Sequence, residues 1–280
     1  MPQTKAPRHH YVPRFLLKHF AHKGSRGDMV HDYRRETGKI TTKPVSEVFQ
    51  SRGRFSHNED ESLEKAWGKI EDRLARLCER AIAMEAEWRK GIRQRFQEGD
   101  TNLAIRAFGM QFIRSRTKYI AATKFVEERG YSACEAKTLY VSVMKDNLAD
   151  LVAFAKGEFE TDKPEHYIAH LSGKKLIGVL TPCPDIRYVL GDWHVQDLCP
   201  IGGAHRPEET SFVMPISPTL ALALVPSRGV FRPEAAPDGL TGEFNRLSMS
   251  RSDEVVAKES ADIENLKWRL DSVPAYALHH

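Results

Sequence analysis

An α+β fold follows from three features of the 280-residue sequence. Long helical patterns fill its middle, short β-rich runs broken by Pro and Gly fill the part after Gly173, and 41% of residues are hydrophobic, enough for a sizeable core. We read a single domain in three parts: a basic N-terminal arm with a small hairpin (1–58), a helical bundle (59–172) and a β-rich lobe (173–280).

Residues 1–8 read as a basic tail. Val12, Phe15, Leu16 and Phe20 suit a short helix begun at Pro13, a residue tolerated at a helix start. Met29–Tyr33 and Lys39–Thr42 read as a hairpin turned at Gly38, and Pro44–Asn58 as a polar loop. From about Glu59, Leu63, Trp67, Ile70, Leu74, Leu77, Ala81, Met84 and Trp88 step by fours and threes, which places them on one helical face. A second helix is expected over about Leu103–Glu128, and a third from Ser132 to about Lys156, opened by the capping box Ser132-Ala133-Cys134-Glu135. Beyond Gly173, the runs 176–180, 187–190, 211–214, 220–225 and 255–258 predict strands of one small, mostly antiparallel sheet. Helices are expected over 242–251 and 261–270, the latter capped by Ser260.

Composition excludes several classes. The four cysteines, Cys78, Cys134, Cys183 and Cys199, form no CxxC pair, which argues against a zinc ribbon or disulfide framework and for idle thiols in a reducing cytoplasm. No leader-like apolar segment opens the chain and no membrane-length apolar run occurs, so no membrane association is expected. The net charge is +4, yet residues 1–58 carry twelve Lys and Arg against four Asp and Glu. A second basic stretch, 89–129, holds ten cations against four acids. Joined in space, the two would form a surface suited to nucleic acid, RNA or DNA, or to another phosphate-rich ligand. The alternative is that both merely solvate exposed faces.

The densest chemistry lies at the start, in Arg8-His9-His10-Tyr11-Val12-Pro13-Arg14-Phe15, followed by an apolar and basic run to Phe20. This stretch resembles the opening signature of the domain of unknown function 4238 family. Leu63-Glu64 with Ile70-Glu71, Gln111-Phe112-Ile113-Arg114, Pro215-Ile216-Ser217-Pro218 and Asn245 resemble later family positions. Gly191-Asp192-Trp193-His194 departs from the family's usual Ser-Asp-Asn-Pro, keeping only Asp192. The family label implies no established activity.

The matched positions combine imidazoles (His9, His10), cations (Arg14, Arg114), carboxylates (Glu71, Asp192) and an amide (Gln111). Histidine both takes and gives a proton near neutral pH, and a neighbouring carboxylate orients it. Arginine presents a planar fork of donors to phosphate oxygens. Gln111 and Arg114, three residues apart, share a helical side, with Lys118 one turn beyond. The leading expectation is therefore a hydrolase of phosphodiesters, a nuclease, with His9 or His10 as acid or base. Asp192 or Glu71 would orient it or hold a divalent metal ion, and Arg14, Gln111, Arg114 and Lys118 would bind substrate. Two alternatives stand beside it: a non-catalytic module binding nucleic acid or another anionic partner, and a structural polar core whose working surface lies elsewhere. His166 and His170 have zinc-like spacing, but Tyr167 stands where HExxH enzymes need glutamate.

Overall fold

In the computed structural model, the described residues are 8–52, 62–92, 95–114, 116–156, 171, 173–183, 185–198, 210–227 and 238–271. The N-terminal part runs β1 (Arg8–His10), α1 (Arg14–His19), β2 (His22–Gly24), β3 (Gly27–Arg34), β4 (Lys39–Pro44), a 3-10 turn (Val45–Glu47) and β5 (Gln50–Arg52). Four helices follow: α2 (Ser62–Arg89), α3 (Glu98–Arg114), α4 (Arg116–Glu127) and α5 (Ala133–Lys156). The rest is β6 (Lys174–Leu180), β7 (Leu190–Gly191), β8 (Gln196–Leu198), β9 (Ser211–Ser217), β10 (Leu220–Pro226), α6 (Asp238–Arg251), β11 (Glu254–Ala257) and α7 (Ser260–Asp271).

The α+β class and the order of arm, helices and antiparallel strands match expectation, while several elements differ in detail. The helix expected over 103–128 is helical at every described position up to Glu127, and it begins earlier, at Glu98 (α3 and α4). The loop expected over 44–58 contains a 3-10 turn and a strand, and β5 pairs with β1 so that His10 faces Gln50 across the ladder. At α5 the capping box is closed in both directions. Ser132 N and Oγ donate to Glu135 Oε2 at 2.8 and 2.7 Å, and Glu135 N donates to Ser132 Oγ at 3.3 Å.

The late strands form parts of two sheets instead of one. An antiparallel sheet of order β6-β10-β9-β8 sits against the helices, its central strands β9 and β10 almost wholly buried. β11 instead pairs with β3, and β7 adds to β11, so a sheet of β2, β3, β4, β7 and β11 joins the two ends of the chain. Periodicity assigns strands but not partners. Val255 and Val256 fit equally well in either apolar setting, and pairing is decided by tertiary packing.

One apolar cluster links all parts: Val12, Leu16, Leu17 and Phe20 of the opening motif pack with Trp67, Leu74 and Leu77 of α2, Phe108 of α3 and Val213 and Leu222 of the sheet. The amphipathic face predicted for α2 is thus the core face. Trp88, near its end, lies against β6, where a Cβ added at Gly178 would come within 2.3 Å of the indole. The side-chain-free backbone of Gly178 is what lets α2 approach the sheet. Gly178→Ala is expected to destabilise the protein by about 1–3 kcal/mol through overpacking, measured as a lowered denaturation midpoint. An unchanged midpoint would show that Trp88 moves aside without cost.

Candidate functional site

The opening motif is an anchored segment. Tyr11 is 2% exposed and its hydroxyl donates to Glu254 Oε2 at 2.8 Å, while its amide donates to Phe49 O at 3.1 Å. Phe49 has φ +51°, a left-handed conformation that costs a bulky side chain about 1–2 kcal/mol. Its amide donates to Glu254 Oε1 at 3.2 Å, and its buried ring lies 5.7 Å from that of Tyr11. His19 Nδ1 and Ile216 O are 2.8 Å apart, so the end of α1 is tied to β9 at the matched Pro215-Ile216-Ser217-Pro218 segment. Ser217 is occupied locally, its hydroxyl accepting from Thr219 N at 3.3 Å.

Glu254 belongs to a charged group that no local sequence signal assembles. Cross-strand register sets Arg34 opposite Glu254, with Asp32 two residues before Arg34 on the same strand and diagonal to Glu254. Arg34 donates to Glu254 Oε1 at 3.1 Å and Asp32 Oδ2 at 3.4 Å, and Lys43 from β4 also pairs with Asp32. Burial, reinforced by the charge of Asp32, pushes the Glu254 pKa above its ordinary value.

The second polar group contains most of the matched positions. Gln111 and Arg114 end α3, and both are buried against α2. The Arg114 guanidinium pairs with the Glu71 carboxylate, donates to the carbonyl of His10 at 2.5 Å and lies 4.5 Å from the centroid of the Trp67 ring. Gln111 Nε2 reaches Glu71 Oε1 at 3.5 Å, and its carbonyl oxygen accepts from His194 Nε2 at 3.0 Å. Four distant segments, carrying His10, Glu71, Gln111 with Arg114, and His194, are thus joined by hydrogen bonds. Asp192, fully buried, opens the turn that delivers His194; its amide donates to Glu254 O at 3.0 Å and so links the two polar groups.

That turn is tightly made. A Cβ at Gly191 would fall 2.2 Å from Ser252 Oγ, and the same hydroxyl accepts from Trp193 N at 3.2 Å. Asn245 contributes by holding the segment before β7, accepting from Val189 N at 3.0 Å and donating to Arg187 O at 2.7 Å. Its role is thereby structural. His194, a departure from the family pattern and absent from the residues that the sequence nominates, is a member of the buried group. Its unusual identity at that position is the one signal that could find it.

Two imidazoles are kept neutral. Burial, then the charges of Arg14 and Arg114, lower the His10 pKa to about 4. Burial lowers that of His194 to about 3, opposed by the Asp192 main chain and aided by Arg114. His10 is only partly buried and Arg14, at the head of α1, is exposed, so this edge of the group meets solvent. The side chains of His9 and Lys118, together with His166 and His170, lie outside what the structure describes. Among the described residues, no three His, Cys, Asp or Glu side chains gather as a metal site, and no helix is long and apolar enough to cross a membrane.

This arrangement defines an α+β protein whose N-terminal motif is clamped between a pair of helices and a sheet built from both ends of the chain. The chain belongs to the family described as protein of unknown function (DUF4238), which it matches over residues 8–262. No curated protein and no solved structure matches it.

Because both histidines bind fewer protons folded than unfolded between their native pKa values and about 6.5, stability should rise with pH through that window and fall as pH drops toward 4. His194→Gln should flatten this dependence in thermal melts at pH 7 and 5, and an unaltered slope would contradict the assigned neutral state. Arg114→Ala should cost about 3 kcal/mol by stranding Glu71 and the His10 carbonyl. A loss below about 0.5 kcal/mol, read from denaturant titration, would show the clamp to be unimportant.

Proposed function

We propose that this group is the centre of a phosphodiester hydrolase, acting as a nuclease, in which neutral His10 serves as general base. The observation that carries the reading is the hydrogen-bonded convergence of His10, Glu71, Gln111, Arg114 and the Asp192–His194 turn, with its partly open edge at His10 and Arg14. His10 accepts a proton from the attacking hydroxyl or water, since burial, and then two nearby guanidiniums, keep its imidazole uncharged. Exposed Arg14 binds the scissile phosphate. Arg114 is a positioning residue in this scheme: its donors already hold Glu71 and the His10 backbone, so it sets the imidazole's place and adds positive potential without gripping substrate. Glu71 and Gln111 fix Arg114 and His194 in turn.

The complete burial of Gln111 and His194 favours a second reading, that the group is a structural polar core which gives the helices a unique arrangement. The two readings separate in one assay. Labelled RNA and DNA incubated with the protein, with and without magnesium or manganese, should be cleaved. His10→Ala should reduce the rate by about 100-fold or more while remaining folded. The wild-type rate should fall as pH drops through about 4, where His10 gains its proton. Cleavage undiminished in His10→Ala would refute the assignment, and no cleavage by a folded wild type would leave the structural reading in its place.

A further inference from the structure

The outer face of α2 carries a row of cations that the His10 site does not use. Lys65, Lys69, Arg73, Arg76 and Arg80 are all exposed. Steps of four, four, three and four residues keep them within about 80° around the helix axis and spread them over about 22 Å. Exposed Asp72 and Glu79 stand at the edge of the row, while Trp67, Leu74 and Cys78 bury the opposite face. Arg80 pairs with Asp100 at the start of α3, which runs alongside. Among the described residues, no carboxylate forms an ion pair with Lys69, Arg73 or Arg76.

Arg106 extends the row onto α3. It is partly buried, its Nε is enclosed without a hydrogen-bond partner, and its charge faces that of Arg73. A face that only needed to be soluble would keep its guanidiniums apart in water. Here two stand together where one is partly dehydrated, a cost that an anion shared between them would offset.

We propose that Lys69, Arg73, Arg76 and Arg106 form a docking track for the phosphodiester backbone of a nucleic-acid duplex. The track is a straight, rigid array that suits a polymer of regular charge, and arginine forks suit phosphate oxygens. The exposed row presents no aromatic side chain on which a base could stack, so contact is with the backbone and is independent of sequence. The inference does not rest on hydrolysis at His10, because α2 turns this face away from Glu71.

The test is fluorescence anisotropy with a labelled duplex of about twenty base pairs, across roughly 50–200 mM salt. The wild type should bind with a steep salt dependence. The Lys69→Gln/Arg73→Gln/Arg76→Gln variant should lose about 2–3 from the magnitude of the log–log slope and at least ~10-fold in affinity at the lowest salt. Arg26→Gln/Lys39→Gln/Lys258→Gln, which removes the same charge from exposed positions elsewhere, should keep both near wild type. Arg106→Gln should weaken binding while leaving the thermal midpoint equal or higher, a combination that a structural role would not produce. The proposal is overturned if the wild type shows no salt-sensitive binding, or if the triple variant matches it. It is also overturned if polyglutamate at equal charge concentration displaces the duplex, since the partner would then be an acidic polypeptide. Hydrolysis of bis(4-nitrophenyl) phosphate, too small to span the track, should be unchanged in the triple variant, so failure here and failure at His10 are distinguishable.

Discussion

The guanidinium of Arg114 is the contact on which the rest of the arrangement depends. It touches α2 through Glu71 and Trp67 and the N-terminal strand through the His10 carbonyl. A lysine could supply the charge but not the fork, because one planar group must satisfy a carboxylate and a carbonyl in different directions while its face covers an indole. With Arg114 in place, Glu71 is oriented for Gln111, and Gln111 in turn receives His194. The order of these contacts explains why groups from four parts of the chain can be buried together without stranding the central cation.

Glu254 provides the complementary hold from the sheet side. Its carboxylate gathers Tyr11, Phe49 and Arg34, and its backbone carbonyl receives the Asp192 amide. A strained residue such as Phe49 persists only where its surroundings over-determine it, and here two main-chain hydrogen bonds and a buried ring do so. The opening motif is therefore fixed from both sides: Arg114 holds the carbonyl of His10, and Glu254 holds the side chain of the next residue. What remains partly open to solvent between these anchors is His10, with exposed Arg14 close by.

Much of this arrangement is legible in the amino-acid sequence alone. The 3.6-residue periodicity of α2 locates its core face, the Ser132–Glu135 spacing locates the start of α5, and family resemblance groups Glu71 with Gln111 and Arg114. Sequence reading fails where the answer depends on long-range pairing. Nothing local announces that Glu254 lies across from Arg34, since register between β3 and β11 joins segments more than 200 residues apart. His194 escapes because nothing local announces its burial or its bond to Gln111, both of which depend on the turn at Gly191 and Ser252.

The central claim is that Arg114 positions His10 and, after burial and the charge of Arg14, adds to what keeps its imidazole uncharged. The most direct measurement is an NMR titration of the His10 ring in the wild type and in Arg114→Met. A wild-type midpoint near 4 is expected, with an upward shift in the variant as one repelling charge is removed. A midpoint near 6.5 in both proteins would contradict the claim.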